Sequence, residues 1–455
     1  MNTLIAITGL GILVLLFEIL NFRKAIIPMA IIGLCAILGL TAAEYDLQES
    51  FYNNMVVVNH FSMAFSGLFI ILTIFLVALS HDFYKAQPSK LSDFIAIKIF
   101  LLAGSVAMVS FGNLSMFFLG IEILSISLYI LAASNRLSLK SNEAGMKYFL
   151  MGSFASGIIL FGICLIYGAT GSFDIAEIHE LSKSELIPTW FFIGIIMVII
   201  GMFFKIAAVP FHFWAPDVYE GAPALTTATM STLAKIVAMA ALYKLLVMNA
   251  NVTFTLEVII ASVSVLSMMV GNLMALRQNN VKRMLAYSGI SHAGYMLMVL
   301  LALTHEPATL FYYATAYATA GIAAFSVVLY VTKNKGNEDI ANFNGLGKTN
   351  PMLAGILTCA LLSMAGIPIF SGFFAKFMLF TLTMDGGFLA VVIVAVVSSI
   401  ISVGYYFKLI LAMYTKEPVE EKQHVPVAFY VVGSLAILIN LVIGLFPALI
   451  MDLLI

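Results

Sequence analysis

The sequence predicts an all-α polytopic membrane protein with about fourteen transmembrane helices and two inverted five-helix repeats with broken helices. Three observations carry this expectation. Of the 455 residues, 62% are hydrophobic and only 10% charged, whereas a soluble chain of ordinary composition carries about 25% charged residues. Apolar runs follow one another along the whole chain, and no linker is long enough to divide it. Two of those runs, around Pro210 and Pro368, are interrupted at membrane depth and each carries a lysine close to its break. Interrupted helices at matching places in two halves of a membrane chain mark a transporter-like core.

At about twenty residues per crossing, spans are expected near 3–22, 25–43, 57–80, 93–110, 113–133, 147–169, 188–211, 223–247, 254–276, 282–303, 309–332, 351–384 (broken), 388–414 and 425–452. The start of the chain lacks the basic region and cleavage site of a signal peptide, so residues 3–20 are expected to open the first permanent span. Basic residues set the orientation. Arg23, Lys24, Lys85, Lys90, Arg136, Lys140, Lys147, Arg277, Lys282, Arg283, Lys333, Lys335, Lys348, Lys416 and Lys422 follow odd-numbered spans. Only Lys183 follows an even-numbered one, beside Glu44, Asp46, Glu49, Asp174, Glu177 and Glu185. The positive-inside rule then places the odd loops in the cytoplasm and both termini outside.

Six lysines belong to neither class of loop: Lys98, Lys205, Lys235, Lys244, Lys376 and Lys408. Lys98, Lys244 and Lys408 are near span ends, where a lysine can snorkel to the interface. Lys235 lies about 18 Å into its span by helical rise, where a charge faces a partner or a hydrated cavity. Lys205 and Lys235 are thirty residues apart, and Lys376 and Lys408 thirty-two. In each pair the first lysine sits on an interrupted span and the second on the span that follows. With five spans per unit, the second unit enters the membrane from the opposite side. This divides the chain into a three-helix segment (1–92), a first repeat (93–247), a second repeat (248–416) and a last span (417–455). Packing kinks at the two prolines are the plainer reading of the same pattern.

Glu122 is the clear mid-span carboxylate. A buried Glu–Lys arrangement is a coupled pair in which each proton occupancy responds to the other charge; a static ion pair that fixes helix packing is the alternative. Ser105 and Ser110, then Thr226, Thr227, Thr229, Ser231 and Thr232, can carry protons or act as packing glue. So can Ser288, Ser291, Tyr295, Tyr312, Tyr313, Thr315, Tyr317 and Thr319. His292 stands out because histidine ordinarily titrates near neutrality. His212 and Asp217, beyond Pro210, either line an entrance or cap the broken helix. Cys35, Cys164 and Cys359 read as small buried hydrophobes, and His212, His292, His305 and His424 have no paired metal-ligand spacing. No phosphate loop, CxxC or nucleotide fingerprint is present, and a net charge of -1 gives no footing to nucleic acid.

The segments GMFFKIAAVPFHFWAPDVYEGAP (201–223), RMLAYSGISHAGY (283–295) and SMAGIPIFSGFFAKF (363–377), with the stretch around Lys235, resemble the proton-translocating membrane subunits of complex I. These are related to subunits of multi-protein cation/proton antiporters. Chain length and GIEIL around Glu122 make the sequence most similar to the subunit N branch, to which mitochondrial subunit 2 is related. The resemblance spans roughly 60–415 and implies a proton path through Glu122, Lys205, Lys235 and Lys376, supported by His292, His212, Asp217, Lys408, Pro210 and Pro368. It further implies a bacterial inner-membrane location. Neighbouring antiporter-like and small membrane subunits, lipids and protons are the implied partners. NADH, FMN, iron–sulfur clusters and quinone would reside in partner subunits, with no cofactor or metal in this chain. A cation/proton antiporter subunit and a purely structural membrane subunit are the competing readings. The orientation has a direct check: cysteine placed at Lys140 should be labelled from the cytoplasmic side and cysteine at Asp46 from the outside, and the reverse pattern would invert the topology.

Overall fold

The computed structural model describes every residue except 85–90, 184–186, 249–253, 303–306, 334, 336, 420–423 and 455. Lys85, Lys90, Glu185, His305 and Lys422 therefore lie outside the described residues. Helices α1 (Asn2–Ile19), α2 (Ile26–Ala43) and α3 (His60–Phe83) open the chain. Next come α4 (Leu91–Ser110), α5 (Leu114–Ala132), α6 (Leu139–Thr170) and the short amphipathic α7 (Ile175–Ser182). The interrupted region holds α8 (Thr189–Lys205), α9 (Trp214–Gly221), α10 (Ala224–Thr229), a π turn at Met230–Ala234 and α11 (Lys235–Met248). Helices α12 (Phe254–Leu276), α13 (Val281–Leu297) and α14 (Pro307–Thr332) follow. The single turn α15 (Leu346–Thr349) precedes the second interrupted pair, α16 (Pro351–Ala365) and α17 (Ser371–Asp385). Helices α18 (Leu389–Thr415) and α19 (Val427–Leu445) and the turn α20 (Ala448–Met451) close the chain.

Among the described residues, twelve helical stretches are long and apolar enough to cross a membrane; α8 and α16 are shorter apolar helices. The fold is thus an all-α polytopic membrane fold. Among the described residues the one sheet is a small antiparallel hairpin pairing Glu49–Phe51 with Val56–Val58. Neither the hairpin nor α7 was expected from the sequence, because both are shorter than the periodicity that betrays a span. Helix α6 starts eight residues before its expected boundary of 147, since Ser138 accepts from the Ser141 amide and caps it.

Burial does not follow apolarity. All of the residues in the 18-residue window of the α13 span are buried, and 89% of the α14 window, against 28% for α1. Helices rich in Ser, Thr and Tyr occupy the centre together with the apolar α3, 78% of whose window is buried, and α1, α2, α6, α12, α18 and α19 form the rim that faces lipid or neighbours. This ordering is expected where lipid, not water, is the outer solvent. Cys35 and Cys164 belong to that rim and are exposed, a correction to the buried positions expected. Most Ser and Thr hydroxyls in the spans, such as Thr229, Thr232, Thr315 and Thr319, donate to carbonyls of their own helix, which assigns them to local packing.

Both interruptions fall where proline and lysine were read together. Helix α8 stops at Lys205, and residues 206–213, with Pro210 exposed among them, run to α9. Helix α16 stops at Ala365 and α17 begins at Ser371, with Pro368 between. Each break holds a non-glycine at positive φ, Ala207 (57°) and Ile369 (86°), a backbone strain worth about 1–3 kcal/mol each. The first break is tied by the Trp214 indole donating to Phe204 O (3.1 Å) and the Val209 amide donating to Ser267 Oγ (2.9 Å). The second is tied by the Gly372 amide donating to Ser363 Oγ (3.3 Å). A methyl group at Gly372 would sit 1.8 Å from Ser363 O, so only glycine lets α17 come this close to α16. Gly372→Ala should cost about 1–3 kcal/mol through overpacking, read as a lower melting midpoint of the assembled protein; an unchanged midpoint would show that the two half-helices are not locked together.

Candidate functional site

Lys205 is the last residue of α8, and its amine reaches sideways into a pocket of hydroxyls. It donates to Ser125 Oγ on α5 (2.7 Å) and Ser156 Oγ on α6 (3.1 Å). Glu122 lies one turn before Ser125, close enough to act on Lys205 electrostatically. It forms no ion pair with that amine, and Glu122 Oε1 is buried without a hydrogen-bond partner. The static ion pair that the sequence left open is therefore not what the structure contains.

Lys235 begins α11, immediately after the π turn, and is 3% exposed. Its amine has no hydrogen-bond partner among the described residues and lies against α13 at Gly289. A methyl group on that glycine would stand 2.7 Å from Lys235 Nζ and 3.1 Å from Tyr317 Oη. One turn further along α13, His292 Nδ1 shares a hydrogen bond with Tyr313 Oη (2.8 Å), and its ring lies 4.7 Å from that of Tyr317. On the far side, His292 Nε2 is 3.4 Å from Tyr406 Oη, which in turn bonds Ser288 Oγ at 2.5 Å.

Lys376 on α17 turns back towards the break. It donates to Ala365 O, the last carbonyl of α16 (2.8 Å), and to Ser399 Oγ (2.9 Å), and it lies 5.1 Å from the centre of the Tyr295 ring. A cation at that carbonyl meets the negative end of the helix dipole. A cavity of ≈ 10 Å³ lined by His292, Tyr313, Tyr317, Ser363, Gly372 and Lys376 joins this lysine to the histidine; it is about the space that one water needs.

The structure brings Lys235, His292 and Lys376 into one buried polar region, and Lys205 and Glu122 into another. It does not bring Lys408 to either. Lys408 is exposed and donates to Gln278 O (2.9 Å) and Asn279 Oδ1 (3.0 Å), beyond the end of α12. Lys98 and Lys244 are 2% and 4% exposed, so they do not snorkel. Lys98 donates to Ser80 Oγ (2.7 Å) and Lys244 to Val109 O near the end of α4 (2.8 Å).

At one end of the helices, Asp217 and Glu220 of α9 hold Arg283 of α13 at 2.7 and 3.1 Å. Lys147 and Lys140 of α6 reach the same two carboxylates at 3.0 and 3.2 Å. Burial works against the charge on Asp217, but hydrogen bonds from Arg283 and Lys147 outweigh it and hold the carboxyl below its ordinary value. No side chain caps the start of α9; the capping role left open for His212 and Asp217 is not used. His212 is buried, which lowers its proton affinity, and Nδ1 has no partner. Sequence reading missed Ser125, Ser156 and Tyr406 because lone hydroxyls in apolar runs carry no motif. It also missed the buried ion pair of Lys282 with Glu338 (2.8 Å), whose members lie far apart in the chain.

Residues 112–402 match the family model described as NADH:quinone oxidoreductase/Mrp antiporter, TM. The chain is 67% identical to NADH-quinone oxidoreductase subunit N of Flavobacterium johnsoniae, with 100% of both chains covered. A chain of respiratory complex I from Thermus thermophilus aligns with a TM-score of 0.86 at 28% identity, over 99% of this chain and 98% of that one. A chain of the Mrp complex from Dietzia sp. also reaches 0.86, over 99% and 94%, but at 22% identity its likeness is one of fold alone. With motif, fold and full-length similarity in agreement, this chain belongs to the NADH-quinone oxidoreductase subunit N family of antiporter-like membrane subunits.

Proposed function

We propose that this subunit carries protons across the bacterial inner membrane through Glu122, Lys205, Lys235 and Lys376, driven by quinone reduction elsewhere in its complex. NADH, FMN, iron–sulfur clusters and quinone belong, on this reading, to partner subunits, and neighbouring antiporter-like and small membrane subunits flank the chain. The observation that carries the proposal is the buried polar run from Lys235 past His292 and its tyrosines to Lys376. A purely structural set of charges would leave no ammonium without an acceptor, since an unpaired buried charge costs several kcal/mol. Among the described residues Lys205 and Lys376 meet hydroxyls and a carbonyl, whereas the Lys235 amine meets no acceptor.

The proposal takes the chain as fourteen spans, with α8–α9 and α16–α17 counted as broken spans, and as two inverted repeats (93–247 and 248–416). The N-terminal segment (1–92) and last span (417–455) flank them, and both termini face outward. Recurring pairings support the repeats: α4 packs on α5 and α6 on α8 and α9, as α12 packs on α13 and α14 on α16 and α17. His292 relays between Lys235 and Lys376, whereas His212 and Asp217 stand at the cytoplasmic mouth. Pro210 and Pro368 keep the two breaks open, and Lys408 secures the cytoplasmic end of the second repeat.

In operation, a conformational and electrostatic pulse from the redox partner alters the Glu122–Lys205 relation, and a proton moves from Lys205 by way of Lys235 to Lys376 and the outer face. One charge moved against 100 mV requires about 2.3 kcal/mol, which the partner machinery supplies. In the whole complex reconstituted in vesicles, Lys235→Ala or Lys205→Ala should lower proton translocation by about tenfold or more, the scale of a lost proton-transfer group. An unchanged number of protons per electron in fully assembled complex would overturn the proposal.

A further inference from the structure

The hydroxyls around Lys205 behave unlike the other hydroxyls of the spans. Ser127, two residues on from Ser125, donates to Ile123 O of its own helix (2.8 Å), as Ser105 does to Leu101 O (2.8 Å). Ser125 and Ser156 only accept, both from the Lys205 amine. Among the described residues neither hydroxyl proton is committed. Two buried oxygens without a partner stand beside them. Glu122 Oε1 is one helical turn before Ser125, and Tyr129 Oη is one turn after it. Residues three and four apart on a helix share a face, so Glu122, Ser125 and Tyr129 form one polar stripe on α5. Tyr129 lies close to both serines but outside hydrogen-bond geometry.

Resting on the function proposed above, we propose that Ser125 is the positioning residue through which Glu122 and Lys205 communicate. Its lone pairs hold the lysine amine, and its proton is free to turn towards the carboxylate. The Lys205 ammonium gives a proton to the Ser125 oxygen as the Ser125 hydroxyl proton passes to Glu122. A neutral amine, an unchanged serine and a neutral carboxylic acid result; reversal restores both charges and recharges Lys205 for the onward step to Lys235. The pair thus exchanges its charge state without closing into an ion pair, which would leave the amine fixed and the path blocked. Ser156 holds the amine from the α6 side and keeps it in reach of Ser125.

Proton translocation by the reconstituted whole complex tests this. Ser125→Ala should reduce it roughly tenfold, the worth of one hydrogen bond to a charged group, with the complex assembled at normal yield. Ser125→Thr, which keeps the hydroxyl, should restore it, and Ser127→Ala should pump as the unaltered complex does. Joined to Glu122→Gln, the Ser125→Ala change should add no further loss, because both remove one link. Should Ser125→Ala not assemble, Ser125→Cys, a weak acceptor of similar size, replaces it with the same order expected. Normal pumping by Ser125→Ala, or losses that multiply with Glu122→Gln, would overturn the inference. If Lys205→Ala pumps poorly while Ser125→Ala pumps normally, only the hydroxyl link falls. If Lys205→Ala itself pumps normally, the proposed function falls with it.

Discussion

An ammonium at membrane depth has no water to lean on, so the protein has to provide its acceptors or bear the cost of burial. That cost is several kcal/mol per ion, and a hydrogen bond to a charged group returns about 1.5–3 kcal/mol. Two acceptors therefore come close to balance, and the chain finds them repeatedly at the carboxyl ends of helices. Lys376 docks on Ala365 O, Lys244 on Val109 O and Lys282 on Ala222 O. Each of these carbonyls lies at or just beyond a helix end, where backbone acceptors lack partners and the dipole favours a cation. Interrupting a helix inside the membrane creates such an end at a depth where none would otherwise exist, as α16 does for Lys376.

The same account explains why the centre of the molecule is its least apolar part. Backbone freed at the breaks and amines buried beside them need hydroxyls, and α13, α14 and the α10–α11 span supply them. The apolar rim of α1, α2, α6 and α19 then insulates this polar centre. At one end, α6, α9 and α13 are fastened by the cluster of Asp217, Glu220, Arg283, Lys140 and Lys147. That cluster holds α9, the segment after the first break, against both α6 and α13, while the Trp214 and Ser267 hydrogen bonds tie the break itself.

Much of this was legible in the sequence because breaks announce themselves. Pro210 and Pro368 cannot continue a helix, and Gly366, at φ 87°, ends α16 just before Pro368. Lys205, Lys235 and Lys376 stood out because charge is rare in apolar runs. What stayed hidden were relations in which composition is silent. Ser125 and Ser127 look alike in sequence, yet one points to Lys205 and the other to its own helix. Lys98 and Lys244 sit near span ends and look like interface residues, but α3 and α4 close over them. The hairpin at 49–58 is too short for its period to register against the runs on either side.

The π turn at Met230–Ala234 has a consequence for how this chain can vary. Such a turn is an α-helix carrying one surplus residue, so α10 and α11 keep independent angular settings. The wide turn absorbs that surplus; in an unbroken α-helix the same extra residue would swing everything downstream by about 100° around the axis. Lys235 would leave its seat at Gly289 although its side chain and its neighbours in sequence were untouched. Keeping the turn wide is therefore what aims the Lys235 amine, and the five side chains that form it are all buried.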